Sequence, residues 1–460
     1  MPPRGGVYRI RAMKINLLPA LPVLALAVAV PSWSAEEVTL KVSGSVRARY
    51  EFMDGQFRPG FDSRDDMWAI RSTLLGELRT GDWRLVGEII DSRAYDTDAG
   101  SVLSANEVNT FEPVQAYVQR DFSAPFGEGS SAEVAIGRFT FNAGSRRLVA
   151  SDDFRNTPQG YTGARAEGRT SSKSQWQMFY LLPHQRRPDD FDSVRDNDWH
   201  LDYEGTNLQL WGVVVGKPGL LPAGALGEFG YVGLSERDRG TRQTRDRDLH
   251  NFSLRALKDA AAGQVDFELE GIYQTGHVSA SATPGATQLD VSAWFLHAEA
   301  GYTRTDAWKT HFSLEFDHAT GDGPGADFQR FDTLYGMRRT DLAPSGIFGA
   351  VGRTNLQALG MRVELAPSSR LDLMAAWRLL RAAEATDSFS TTGIRDATGA
   401  AGRDAGWLID TRLRYWIVPR TLRTEITGVW MKRGRMLRDA PNANPWGDTH
   451  YAAAALTWTF

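Results

Sequence analysis

From Leu40 to Phe52 the chain alternates without a break. Leu40, Val42, Gly44, Val46, Ala48, Tyr50 and Phe52 fall on one side of an extended strand, and Lys41, Ser43, Ser45, Arg47, Arg49 and Glu51 on the other. Successive side chains of a β-strand point to opposite faces, so a period of two requires a sheet with one apolar and one polar face. The same period returns over Val265–Tyr273, Trp308–His318 and Trp407–Ile417, and again at the end, where Ala452, Ala454, Leu456, Trp458 and Phe460 share one face. An all-β fold follows.

A soluble sandwich alternates too, and three features separate it from a membrane barrel. The alternating runs reach about 9–13 residues, longer than the ~5–6 of globular sheets and right for tilted membrane strands. Aromatic residues gather at the strand ends, among them Tyr50, Trp68, Trp83, Trp294, Trp308, Trp407, Trp430 and Trp458. Their rings favour the headgroup level of a bilayer. The terminal Phe460 suits the assembly signal of bacterial outer-membrane barrels, which would make the barrel-assembly machinery a partner. The expectation is a transmembrane antiparallel β-barrel of the Gram-negative outer-membrane type, set in outer-membrane lipid and lipopolysaccharide.

The links between candidate strands alternate in length. Strands placed from 40–53 through 308–319 to 449–460 number about 18, an even count as bacterial barrels require. Long links such as 54–66, 93–111, 141–160, 184–206, 320–354 and 382–405 follow odd strands, and short ones such as Thr80-Gly81-Asp82 and Val418-Pro419-Arg420 follow even strands. Short periplasmic turns and long outer loops give that asymmetry. A barrel of this size leaves an aqueous lumen, because side chains fill the interior only near eight strands.

Residues 1–34 read as a signal peptide, with Lys14 as the charged region, Leu17–Val30 as the apolar stretch and Ser32-Trp33-Ser34 as the cleavage site. Met13 is the expected true start. Residues 35–460 then form a single barrel domain. The apolar stretch is shorter than the ~20 residues a spanning helix needs. The 52 basic and 56 acidic residues balance to a net charge of −4, which offers nucleic acid no basic surface. With no Cys, thiolate metal sites and disulfides are excluded. No cofactor is expected, and neither H-E-x-x-H nor G-x-S-x-G occurs to support an outer-membrane hydrolase.

Two groups of motifs are more particular than a porin pattern. The first runs Gly137-Arg138-Phe139, Gly144-Ser145-Arg146-Arg147-Leu148-Val149, Phe154-Arg155-Asn156-Thr157 and Tyr161-Thr162-Gly163-Ala164-Arg165. The second runs Tyr273-Gln274-Thr275-Gly276, Thr320-Gly321-Asp322 and Phe331-Asp332-Thr333-Leu334-Tyr335. Together they resemble the alginate export family of outer-membrane barrels over about residues 40–460. Phe139 stands where that family favours Gln, and Tyr161-Thr162-Gly163 stands for its F-D-G. The resemblance implies an 18-stranded barrel that passes an anionic polysaccharide through an arginine-containing pore, with periplasmic polysaccharide-export proteins as partners.

Guanidinium groups stay charged and bind carboxylates through two parallel hydrogen bonds, so arginines are the candidate path residues. Arg138, Arg147 and Arg165 are expected to converge at a constriction, with Arg47, Arg49, Arg412 and Arg414 near the seam where first and last strands meet. Rings of Arg set anion preference at a narrow point whatever the net charge. The lumen wall itself carries both signs, Lys309 among the cations. An alternative is a diffusion porin for small solutes. Asp317, Asp322 and Asp327 are weak candidates for a loop cation site.

Overall fold

The computed structural model describes residues 38–460 except 98, 99, 153, 241 and 340; the expected signal peptide, 1–34, and the start at Met13 lie outside them. The described chain forms one 18-stranded antiparallel sheet closed on itself. In chain order the strands are β1 (Thr39–Asp54), β2 (Arg64–Thr80), β3 (Trp83–Tyr95), β4 (Asn109–Ser123), β5 (Ser131–Thr140) and β6 (Gly160–Arg169). Then come β7 (Gln175–Pro183), β8 (Leu208–Lys217), β9 (Leu226–Glu236), β10 (Asp248–Lys258), β11 (Val265–Ser279) and β12 (Gln288–Thr303). The last six are β13 (His311–Ala319), β14 (Leu356–Ser368), β15 (Leu371–Arg381), β16 (Asp404–Val418), β17 (Leu422–Arg433) and β18 (Thr449–Thr459).

Each strand pairs with the next, and β18 returns to β1 with Arg47 opposite Thr457. Gly44 and Phe460 exchange both backbone hydrogen bonds at 3.0 Å. Closure leaves no edge, so the sheet satisfies its own peptide groups in hydrocarbon, where water cannot. Leu40, Ile136, Leu254 and Leu314 on the outer face are 60–69% exposed, whereas Arg49, Glu51 and Asp410 on the inner face are buried. Outer aromatic pairs such as Tyr50–Trp68, with ring centres 5.2 Å apart, and Trp407–Trp430, 4.9 Å apart, stand at the strand ends.

The expected run from Trp308 starts as a strand only at His311. The carboxylate of Asp306 accepts from the Thr310 N–H at 3.0 Å, and its carbonyl accepts from the Lys309 N–H at 3.1 Å. This closes a turn with Lys309 at φ 49°, which takes Lys309 off the lumen wall.

All long connections leave one rim and all short turns the other. From the long-loop rim, residues 141–159 and 320–355 fold into the barrel and meet. Val149 and Tyr335 form a parallel bridge, with the Ala150 N–H donating to the Tyr335 carbonyl and the Tyr335 N–H to the Leu148 carbonyl, at 3.1 and 2.9 Å. Leu148, Val149, Phe331, Ile347 and Phe348 from these segments bury against Leu181, Leu210 and Phe295 of the wall. The apolar core therefore sits inside one end of the barrel and shapes the lumen.

Candidate functional site: the loop-filled lumen

Inner-face arginines of β1 hold the first inward loop. Arg47 donates to the Arg155 carbonyl at 2.8 Å, and Arg49 donates to the Phe154 carbonyl and pairs with Glu51 at 2.6 Å. The Phe154 ring lies 4.8 Å from the Arg49 guanidinium and 5.6 Å from that of Arg339, which pairs with Asp410 on β16. The Asn156 amide donates to the carbonyls of Ile70, Arg93 and Glu107, while its own carbonyl accepts from Ser92 at 2.7 Å. The Phe154-Arg155-Asn156-Thr157 motif is thus the anchor of the loop on β1–β3.

Arg147 joins both loops to the wall. It takes Asp341 of the second loop through two bonds of 2.9 and 3.0 Å, Glu270 of β11 at 2.6 Å, and Glu268. Asp341 also holds Arg353, and its carbonyl accepts from Arg378, which pairs with Glu315 at 2.7 Å. Pairing of this kind offsets the cost of burying charge.

Arg138, Arg147 and Arg165 do not converge; each has its own set of carboxylates. Arg165 faces the lumen, bonded to Glu133 at 3.0 Å and to Glu167, with the Phe139 ring 5.4 Å away. Arg138 points the other way. On β5 the inward residues are Ala135 and Phe139, and Arg138 shares the outer face with Ile136, opposite Thr162 of β6. A segment of loop 184–207 covers it there, with Glu112 at 2.6 Å and Glu204 and His184 at 3.4 Å. The same loop replaces ladder bonds where the β3–β4 register shifts twice. Its Asn197 amide pairs with the N–H and carbonyl of Ala94 at 2.9 and 2.8 Å, and its Trp199 donates to the Phe111 carbonyl. Arg412 and Arg414 face the lumen, pairing with Asp372 at 3.5 Å and Glu425 at 2.6 Å.

The three candidate cation ligands are scattered. Asp317 bonds the His297 imidazole at 2.9 Å, Asp322 caps the Gln329 N–H at 3.1 Å, and Asp327 is exposed. Among the described residues, Glu112, His184 and Asp202 are the one such group with ligand atoms within 4.8 Å of one another. Arg138 already supplies positive charge to it. Burial, with Arg138 and Arg186 nearby, pushes the His184 imidazole down to about 3, and burial beside Glu112 pushes Asp202 up to about 7.

Sequence reasoning missed Arg58 and Arg338 as path residues and Arg155 as more than a motif letter. Together with Glu107, Ser104, Asn106 and Ser345 they line a cavity of about 200 Å³ between the loops. Arg155 pairs with Asp152 at 3.1 Å. Arg58 and Arg338 reach only backbone carbonyls and the Gln56 amide oxygen, with no carboxylate within 4.0 Å among the described residues. Burial, reinforced at Arg338 by Arg155 and Arg58, lowers both guanidinium groups to about 10. Burial and the Glu51 charge raise Glu107 to about 7. A second cavity of about 700 Å³ opens toward the short-turn rim, lined by Asn142, Gln175, Gln177, Glu167, Glu228 and Arg255.

The fold is that of outer-membrane porins. OccK3 (OpdO) of Pseudomonas aeruginosa superposes with a TM-score of 0.56 at 13% identity, over 92% of this chain and 95% of that one. OccK2 (OpdF) of the same organism gives 0.57 at 12% identity, over 92% and 97%. Its complex with glucuronate gives 0.55 at 12% identity, over 92% and 96%. No curated protein sequence matches the chain significantly. The family model for alginate export matches residues 38–445, nearly the whole described barrel. An outer-membrane channel barrel with this motif set and this match belongs to the alginate export family.

Proposed function

We propose that the lumen passes a uronate-bearing anionic saccharide by diffusion across the outer membrane. The carrying observation is the cavity between the loops, where Arg58, Arg155 and Arg338 surround space for about one sugar and two of the three have no carboxylate partner among the described residues. Such guanidinium groups lose water on burial, and an arriving carboxylate supplies charge-assisted hydrogen bonds in its place. The family's named substrate is a polyuronate, which agrees with this chemistry. A small-carboxylate porin is the second reading, favoured by the glucuronate complex of the structurally similar OccK2.

Single-channel recording of the purified protein in planar bilayers tests this. Uronate oligomers should interrupt the current at concentrations where neutral oligosaccharides of equal length do not. Cation selectivity without uronate interruption would sink both readings. Interruption by monomeric uronates as strong as by oligomers would select the second.

A further inference from the structure

Loop 184–207 runs over the outside of the barrel and repairs a break in its wall. Between β3 and β4 the pairing slips twice, from Glu88 opposite Gln115 to Ile90 opposite Glu112 and then Ser92 opposite Asn109. Phe111 turns to φ 51° there, and Pro113 has no N–H to give the ladder. A peptide group left without a partner at membrane depth is costly. Side chains supply the partners: the Asp91 carboxylate accepts from the Phe111 N–H at 3.1 Å, Asn197 takes the N–H and carbonyl of Ala94, and the Trp199 indole donates to the Phe111 carbonyl. The loop also covers the outward Arg138 and Thr162, with Glu112, His184 and Asp202 buried around them.

Over this polar patch the loop turns an apolar surface outward. Trp199 and Leu201 are 57% and 51% exposed and Phe111 is 49% exposed. Trp199 is held at the Phe111 carbonyl, and the Asp202 N–H, next to Leu201, donates to Glu112 at 3.1 Å. Tyr95, beside the Ala94 that Asn197 holds, lies opposite Trp68 on the outward face of β2 and β3. The loop's exposed acids stand elsewhere, with Asp189, Asp190, Asp192 and Asp196 around the short helix Phe191–Arg195. We propose that the 199–201 end of the loop is a membrane-contact element, with Trp199 and Leu201 seated in lipid at the headgroup border of the outer leaflet. The occupant is lipid because the patch continues the aromatic outward face of β2 and β3, and indole rings favour that level. A loop then carries the lipid-facing surface across the one place where the ladder of β3 and β4 breaks. The inference rests on the barrel lying in a membrane and is independent of what passes through its lumen.

The chain has no Cys, so a single introduced thiol carries one spin label. Leu201→Cys places it on the patch, Asp192→Cys on the exposed helix of the same loop, and Leu254→Cys on the outward face of β10. Each variant, with folding checked by heat-modifiable gel mobility, is reconstituted in vesicles of phosphatidylethanolamine and phosphatidylglycerol. Power saturation of the electron paramagnetic resonance signal then compares access by oxygen, which concentrates in lipid, with access by a neutral nickel chelate, which stays in water. The oxygen-to-nickel ratio at 201 should stand several-fold above that at 192 and on the side of the ratio at 254. A ratio at 201 equal to that at 192 overturns the proposal. Low access to both reagents at 201, with dipolar broadening between labels, overturns it too and seats a second copy of the chain on the patch. A ratio at 254 as low as at 192 would take the barrel itself out of the bilayer, and the proposal with it.

Discussion

Arg147 grips Asp341 with both prongs of its guanidinium, at 2.9 and 3.0 Å, and so ties the two inward loops together inside the barrel. The loops are also joined through the backbone bridge of Val149 and Tyr335. An ion pair between residues 194 positions apart therefore holds both loops together at this level of the lumen. Removing Arg147 leaves Glu270 buried without its guanidinium, while among the described residues Asp341 keeps only Arg353.

Arg147→Ala should cost about 3–5 kcal/mol, the usual penalty for breaking a buried pair. It also frees the loops to move. Expected readouts are a lower unfolding temperature in detergent and a larger, noisier single-channel current. A lower unfolding temperature with an unchanged current would show that the pair braces the fold without setting the bore.

Neutralising the cavity should weaken uronate binding without closing the channel. Arg338→Gln and Arg58→Gln each remove one charge-assisted contact, about 1.5–3 kcal/mol. That corresponds to at least a 10-fold higher uronate concentration for the same current interruption. Arg414→Gln, which does not line the cavity, should shift it less. An equal shift from all three would place recognition along the wall instead.

Glu107 makes the cavity sensitive to pH. Its carboxyl titrates at about 7 in the folded loops against 4.5 ordinarily, so the native state binds this proton more tightly than the unfolded chain does. Its stabilising contribution is full below about 4.5 and is lost as the pH rises through 7. The same titration changes the cavity charge. Uronates keep their charge throughout, so their interruption of the current should strengthen from pH 8 to pH 6. Glu107→Gln should flatten that dependence.

Arg138 and Arg165 should behave oppositely despite standing one strand apart. Arg138→Ala leaves Glu112 buried without its guanidinium and should release the outer strap, seen as faster proteolysis within 184–207 at constant current. Arg165→Ala, on the lumen face, should alter ion selectivity and leave the strap protected. A current change from Arg138→Ala would contradict its place outside the wall.

Much of the barrel was legible in the sequence. Alternation places Leu40 outward and Arg49 inward because side-chain direction on a strand depends only on parity, a local property. Strand bounds held to within three residues, and the late start of β13 at His311 has a local cause, since the Asp306 side chain caps a turn there in place of ladder bonds. Parity was also enough for Arg47, Arg165, Arg412 and Arg414, whose inward positions the structure keeps.

The sequence by itself determined a closed sheet with a wet interior, the number of its strands and the rim that carries the long loops. The tertiary structure alone decided which loops turn inward, that Arg138 lies under a strap outside the wall, and that Arg58, Arg155 and Arg338 meet around one cavity. The reason is range. A strand's two faces are set by residues next to each other, whereas the cavity and the Arg147–Asp341 brace depend on loops far apart in sequence folding back together, and no period in the chain records that.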